Sequence, residues 1–404
     1  ALTANHGIAL AGWLSQLSGW RGGPLPYRMY ASDPWWCNSA WHDYYDRSPH
    51  DSQLTMSLSI VDERARVHTV EEVKVLTIDT TWGQVPEEFA DELVPVLKRS
   101  LAHRPDGVAP LCWVYPWERN HRLVLEENRR HAEVLHGDLL IQAALNNGLP
   151  LSAAISDQAL PAALAAQPAA FAGRVLLTPA PEPGSPLEAA LLAHLHGGGA
   201  VLCYGALAHA SPAWLAALGL ADAAPINGRL RLRHGGDPDR FATGTACPEI
   251  EHTAQLCGGG LTAIAAGARV LATCTDASGA ERVAASVNGR AAWAHGSPAI
   301  DPSGLKRRRL NPLPADRCYP GEALLRHALA ELGWSVAIER AAPDARGISC
   351  LWSSRAGQFV LSAFSADPSA VLRLRTPLGA PLVPGRELAF HDGQASLTLF
   401  GCLQ

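Results

Sequence analysis

Between Val175 and Tyr204 the sequence runs Val175-Leu-Leu-Thr178, a helix-length stretch from Pro186 to His196, Gly197-Gly-Gly199, and Ala200-Val-Leu-Cys-Tyr204. Two apolar runs too short to be helices, joined by a helical segment with a glycine stop, constrain the fold more than any other feature. They read as buried parallel strands, and the segment between them as the crossover that parallel pairing requires. Glu126 to Asn147 reads as a helix closed by Gly148, Leu151 to Ile155 as a short strand, and Pro212 to Leu220 as another helix. These alternations with short links predict a doubly wound parallel sheet of the flavodoxin or amidotransferase kind. His194 and His196 precede the triple glycine, which suits a helix C-cap. A phosphate site would need a helix N-terminus instead.

Downstream, residues 226–262 are less regular, with a possible strand at Arg229 to Arg233. Arg269 to Cys274, Val283 to Val287 and Ala291 to Ala294 read as strands, with Asn288-Gly289 as a hairpin turn. Glu322 to Gly333 is an amphipathic helix. From about residue 346 short alternating strands recur, as in Phe359 to Ala363, Val371 to Arg375 and Ala395 to Phe400. They predict a small antiparallel β domain.

The front of the chain has a different composition. Eight of the 12 Trp and five of the 7 Tyr lie within the first 117 residues, so a domain boundary is expected near residues 118–130. Gly7 to Gly12 reads as a buried strand, Trp13 to Tyr45 as a long loop, and Thr55 to Val61 as strand or helix. Val73 to Ile78 reads as a buried strand ending at Asp79, followed by a helix from Pro86 to Arg104 that Pro95 should kink or split. Pro110 to Tyr115 is another strand, ending at Pro116-Trp117-Glu118. Strand, acidic loop, helix, strand, acidic loop is the rhythm of a β/α barrel, whose chemistry follows the strand C-termini. The expected organisation is a partial (β/α) barrel segment at 1–125, an α/β domain at 126–345 and a small β-sandwich at 346–404.

A length of 404 residues fits two or three domains. The net charge of −5 and a pI near 6.4 give no reason to expect a nucleic-acid or anionic-membrane partner. The one basic run, Lys306 to Arg309, sits near Pro302 and Pro312 and reads as a solvated loop. The longest apolar stretch, Leu187 to Leu202, contains Glu188, two histidines and three glycines, and falls short of the ~20 residues of a membrane helix. Nine cysteines, odd in number and without a C-x-x-C pair, predict neither zinc ribbon nor disulfide framework and favour a reducing, cytoplasmic setting. The histidines are dispersed, so no metal is expected, and no cofactor either. The sequence starts at Ala1 without methionine or leader, as expected after processing or for part of something longer.

The densest constellation runs from Asp33 to Asp51 and combines four Asp, two His, three Trp and two Tyr. Sugars offer C–H faces to aromatic rings and hydroxyls to carboxylates and imidazoles, so Trp35, Trp36, Trp41, His42, Asp43, Tyr44, Tyr45, Asp46 and the nearby Trp82 are candidate carbohydrate ligands. The competing reading is a long loop whose aromatics pack together while its Asp residues cap turns. Asp79 and Glu118 each follow a predicted strand. Glycoside hydrolysis needs two facing carboxyl groups, one of them kept protonated by burial or a like charge. The structural alternatives are an N-cap for Asp79 and an exposed loop for Glu118. Cys203 resembles the cysteine of a G-x-C-x-G elbow at Gly205 only, because Val201 stands where the first glycine is needed. A buried strand cysteine is the better reading; a Cys203-dependent amidohydrolase is a further alternative.

The stretch Leu191 through the glycines to Leu202, running on through Cys203 to Tyr204, and Trp214-Leu-Ala-Ala-Leu-Gly-Leu220 are similar to pieces of the trimerisation domain of three-domain bacterial β-galactosidases. With a barrel segment before and a small β domain after, the chain resembles the C-terminal portion of that glycoside hydrolase family. The resemblance covers roughly residues 126–340. It implies hydrolysis of glycosidic bonds, a homo-oligomer with contacts through the α/β domain, and Asp79 where the family has a nucleophilic Glu. It also implies that the front of the barrel, with the acid/base carboxylate, is missing here or supplied by another chain. A non-catalytic carbohydrate-binding or assembly subunit is the alternative from another class.

Overall fold

The computed structural model describes residues 6–32, 52–77, 87–125, 131–234, 249–252, 259–296, 321–339, 348–365, 369–379, 389–391 and 394–400. In chain order the elements are α1 (His6–Leu17), β1 (Leu25–Ser32), α2 (Ser52–Met56), β2 (Ser59–Val61), β3 (Val67–His68), β4 (Val70–Thr77), α3 (Glu87–Ala102), β5 (Leu111–Tyr115), α4 (Trp117–Leu125), α5 (His131–Leu145), β6 (Ala153–Ser156) and α6 (Ala159–Ala166). They continue with β7 (Val175–Pro179), α7 (Pro186–His196), β8 (Ala200–Tyr204), α8 (Pro212–Ala217), β9 (Leu220–Ile226), β10 (Gly228–His234), β11 (Glu249–His252), β12 (Leu261–Ala265), β13 (Arg269–Thr275), β14 (Glu281–Asn288) and β15 (Ala291–Ala294). The last are α9 (Glu322–Glu331), β16 (Ser335–Glu339), β17 (Ile348–Arg355), β18 (Gln358–Ser365), β19 (Ser369–Arg375), β20 (Ala389–His391) and β21 (Gln394–Phe400).

By compactness the chain divides into two units. The first comprises residues 1–115, 145–174 and 342–368; the second comprises 116–144, 175–341 and 369–404.

In the first unit β5 pairs with β6 and β6 with β2, all parallel, and β3 closes a hairpin with β2. Every residue of β2, β5 and β6 is buried, as covered parallel strands require. β1 and β4 form a separate parallel pair, and β17 and β18 an antiparallel one. A core cluster joins Tyr27 of β1, Met56, Val70, Leu93 and Leu97, with Trp13, Val73 and Leu101 packed against it.

Four expectations change here. Gly7 to Gly12 belongs to helix α1, because Leu10, Ala11 and Leu14 continue one buried helical face past the short apolar run. Helix α3 runs unbroken through Pro95, which is exposed, while Leu93 and Leu97 on the opposite face are held in the core. β4 is not a buried strand: Lys74 is exposed and Val75 is 37% accessible. β4 and β5 also lie in different sheets, so among the described residues they do not follow one another around a barrel.

The second unit holds a mixed sheet. β7, β8 and β15 are parallel. From β15 the sheet continues antiparallel through β14, β13, β10 and β11. The fold is thus α/β with a large mixed sheet, and the parallel strands are confined to one side of it. α7 is capped at both ends by its sequence. Ser185 accepts the Glu188 amide at 3.1 Å, and the amides of Gly197, Gly198 and Gly199 return to the carbonyls of Ala193, Leu195 and His194. A Cβ on Gly199 would lie 2.2 Å from the His194 ring, which would have to swing aside. Gly219 is required to be glycine: it has φ +65° and a Cβ would stand 2.8 Å from the Ala268 amide nitrogen. The hairpin expected at Asn288-Gly289 joins β14 to β15, with Asn288 opposite Ala291. The strands β16, β19, β21 and β20 form an antiparallel sheet.

Candidate functional site

Of the sequence-predicted site residues, Trp35, Trp36, Trp41, His42, Asp43, Tyr44, Tyr45, Asp46, Asp79 and Trp82 lie outside the described residues. What the structure provides is the pair of strands that leads into them. β1 and β4 run parallel with Tyr30 opposite Leu76 and Ser32 opposite Thr77. The two strands therefore end side by side, about 5 Å apart as neighbouring strands are. The chain leaves β1 at Ser32, just before Asp33, and leaves β4 at Thr77, two residues before Asp79. Residues 25–28 alternate between buried (Leu25, Tyr27) and exposed (Pro26, Arg28), the pattern of a strand with one covered face. C-terminal ends of parallel strands are where α/β folds place their chemistry.

Glu118 stands in the first turn of α4, exposed. A carboxylate there is favoured by the helix dipole. Its neighbour Arg119 pairs with Glu133 at 3.2 Å, His209 approaches Glu133 at 3.8 Å, and Arg122 pairs with Glu182. This network was not foreseen, because its members come from separate stretches of the chain without a common spacing.

Cys203 is fully buried in β8, between Thr178 of β7 and Trp293 of β15. Burial pushes its thiol up to about 12, against smaller opposing effects of Trp214 and Arg119. A thiol so rarely ionised is a core group and not a nucleophile. Cys112, Cys274 and Cys350 are free and buried in the same way.

Among the described residues no group of three or more His, Cys, Asp or Glu is arranged to hold a metal ion. Among them, too, no helix is long and apolar enough to cross a membrane.

The fold is similar to that of a solved β-galactosidase. The β-galactosidase from Rahnella sp. R3 superposes on 99% of this chain with a TM-score of 0.50 and 13% sequence identity. The chain in turn covers 56% of that enzyme, little more than half its length. A GH42 β-galactosidase from G. stearothermophilus matches over 87% of this chain and 53% of its own, with a TM-score of 0.45 and 12% identity. No protein-family model matches the sequence, and no curated protein matches it.

Proposed function

We propose that this protein is a carbohydrate-active protein of the glycoside hydrolase class, with a sugar held by the aromatic and acidic segment from Trp35 to Asp46 and by Trp82. The observation that carries the reading is the parallel register of β1 and β4, which ends the two strands side by side at Ser32 and Thr77, shortly before Trp35 and Asp79 in the sequence. A likeness in fold to a β-galactosidase over 99% of the chain supports it. In this reading Asp79 is the nucleophile or charge stabiliser and Glu118 the second carboxyl candidate. Because the chain covers 56% of the Rahnella enzyme, the acid/base carboxylate would be missing here or supplied by another chain.

The same coverage favours a second reading, a sugar-binding or assembly subunit without catalysis. One pair of measurements separates them: hydrolysis of an aryl β-galactoside, and tryptophan fluorescence on titration with galactose. A hydrolase predicts turnover that Asp79→Asn lowers roughly a thousandfold or more while the folded fraction stays unchanged. Saturable fluorescence change without turnover selects the binding subunit. Turnover unchanged in Asp79→Asn removes that residue from the mechanism, and no response to any sugar removes both readings.

A further inference from the structure

Three histidines meet inside the second unit. His136 comes from α5, His252 from β11, and His295 from the position after β15; their accessibilities are 3%, 0% and 2%. The rings of His252 and His295 lie 4.2 Å apart between centroids, and those of His136 and His295 lie 6.0 Å apart. Trp293 stands edge-on to His295 at 6.1 Å. Among the described residues, neither ring nitrogen of His252, nor Nε2 of His136, has a hydrogen-bond partner. A buried imidazole without an acceptor for its second proton has nothing to hold it in the charged form.

We propose that this cluster is an acid-sensitive latch: neutral rings pack α5 and β11 onto the end of β15, and protonation in mildly acidic surroundings forces them apart.

Burial governs both His136 and His252, and His252 adds to it at His136. On α5, Glu133 is engaged by Arg119 and His209, while Asp138 is half-buried. On β10, which pairs with β11, Arg229, Arg231 and Arg233 are exposed, and Arg229 meets Glu249 of β11 at 2.5 Å. β8, the parallel partner of β15, contributes the buried Cys203 and Tyr204. β14, its antiparallel partner, carries its charges, Glu281 and Arg282, at its outer end, away from the β15 pairing. α9, which packs on β14 and β15, carries charges paired within itself, Arg326 with Glu322 at 2.7 Å and His327 with Glu331 at 3.7 Å.

Burial, with the neighbouring His252, lowers His136 from 6.5 to about 3, and burial lowers His252 from 6.5 to about 4. The direction of the effect follows. Unfolded imidazoles take up protons near 6.5, whereas the folded ones do so only near 4 and 3. The cluster is fully stabilising above pH 6.5, and that stability drains away as pH falls below 6.5 toward 4. Between pH 7.5 and 5.5 each of the two histidines should raise the opening equilibrium roughly tenfold.

The test is amide hydrogen exchange of the full chain, read by mass spectrometry at pH 7.5 and 5.5 and corrected for intrinsic rates. Peptides covering α5 and β11 should lose roughly a hundredfold in protection in the wild type, and about tenfold less than that in His252→Phe, which keeps the ring volume. Protection that does not change with pH, or changes equally in His252→Phe, overturns the latch. Should the variant fail to fold, exchange of the imidazole C2 protons in the wild type decides alone. Titration midpoints of His136 and His252 well below 6 support the proposal, and midpoints near 6.5 overturn it.

Discussion

Asp62 in the first unit and the histidine cluster in the second are both buried ionisable sites, and they resolve burial in opposite ways. Asp62 is 4% accessible, at the start of the loop between β2 and β3. Its carboxylate accepts the amides of Arg64 and Arg66 at 2.9 Å, Arg66 Nε at 2.7 Å and His68 Nε2 at 3.0 Å. Burial alone would raise its pKa, but the bonds from His68, the two amides and the Arg66 side chain outweigh it and hold the carboxyl at about 2. His252, at both ring nitrogens, and His136, at Nε2, meet burial without a hydrogen-bond partner among the described residues, and they give up their charge instead. Solvent accessibility is nearly the same in both places, although the histidines lie deeper below the surface. What differs is whether the backbone was built to answer the charge.

The largest effect expected from that difference is at Asp62 itself. Replacing it with Ala strands two amides and leaves Arg66 and His68 facing an empty acceptor, and should cost about 3 kcal/mol in urea unfolding. A cost below about 1 kcal/mol would mean that the hairpin re-solvates its donors, and the contrast between the units would break.

A second, slightly smaller effect separates the two sites along the pH axis. For a carboxyl lowered from 3.8 to about 2, the stabilisation is complete above pH 4 and is lost as pH falls from about 4 to about 2. It amounts to roughly 2.5 kcal/mol. The histidine cluster loses its contribution at milder acidity, beginning near pH 6.5. Amides of the β2–β3 hairpin should therefore stay protected at pH 5, where protection of β11 should already have fallen. Simultaneous loss in both would erase the distinction.

The sequence carried the second unit's parallel strands well, because the strands β7 and β8 are continuous apolar runs and α7 has its caps written as Ser185-Pro186 and Gly197-Gly-Gly199. α1 was less legible: an apolar run of a few residues fits either period, and only Leu14, beyond the run, tips it to helix. β1 was missed as a strand because Pro26 and Arg28 read as loop, although Leu25 and Tyr27 preserve a period of two. That omission mattered, since the pairing of β1 with β4 is what relates the two candidate segments. The histidine cluster had no signature at all. Positions 136, 252 and 295 are brought together only by strand order and by the helix laid over the sheet, and neither is a local property. The aromatic and acidic composition around Trp35 and Trp41 suggested a ligand, but composition does not convey geometry.

The smallest effect tests whether the contrast belongs to the units or to the presence of partners. Glu188, in the second unit, is 6% accessible, yet it is treated as Asp62 is: it accepts the Gly184 amide at 2.6 Å and the Ser211 hydroxyl. The same Ser211 oxygen accepts the Trp214 amide at 3.0 Å and so caps α8. Ser211→Ala removes one donor from a buried carboxylate and the cap of a short helix together, and should cost about 1–1.5 kcal/mol by urea unfolding. Ser211→Thr keeps the hydroxyl and should restore most of that loss. If Thr fails as badly as Ala, the hydroxyl is not what matters there, and the buried charge of the second unit is answered by something other than its donors.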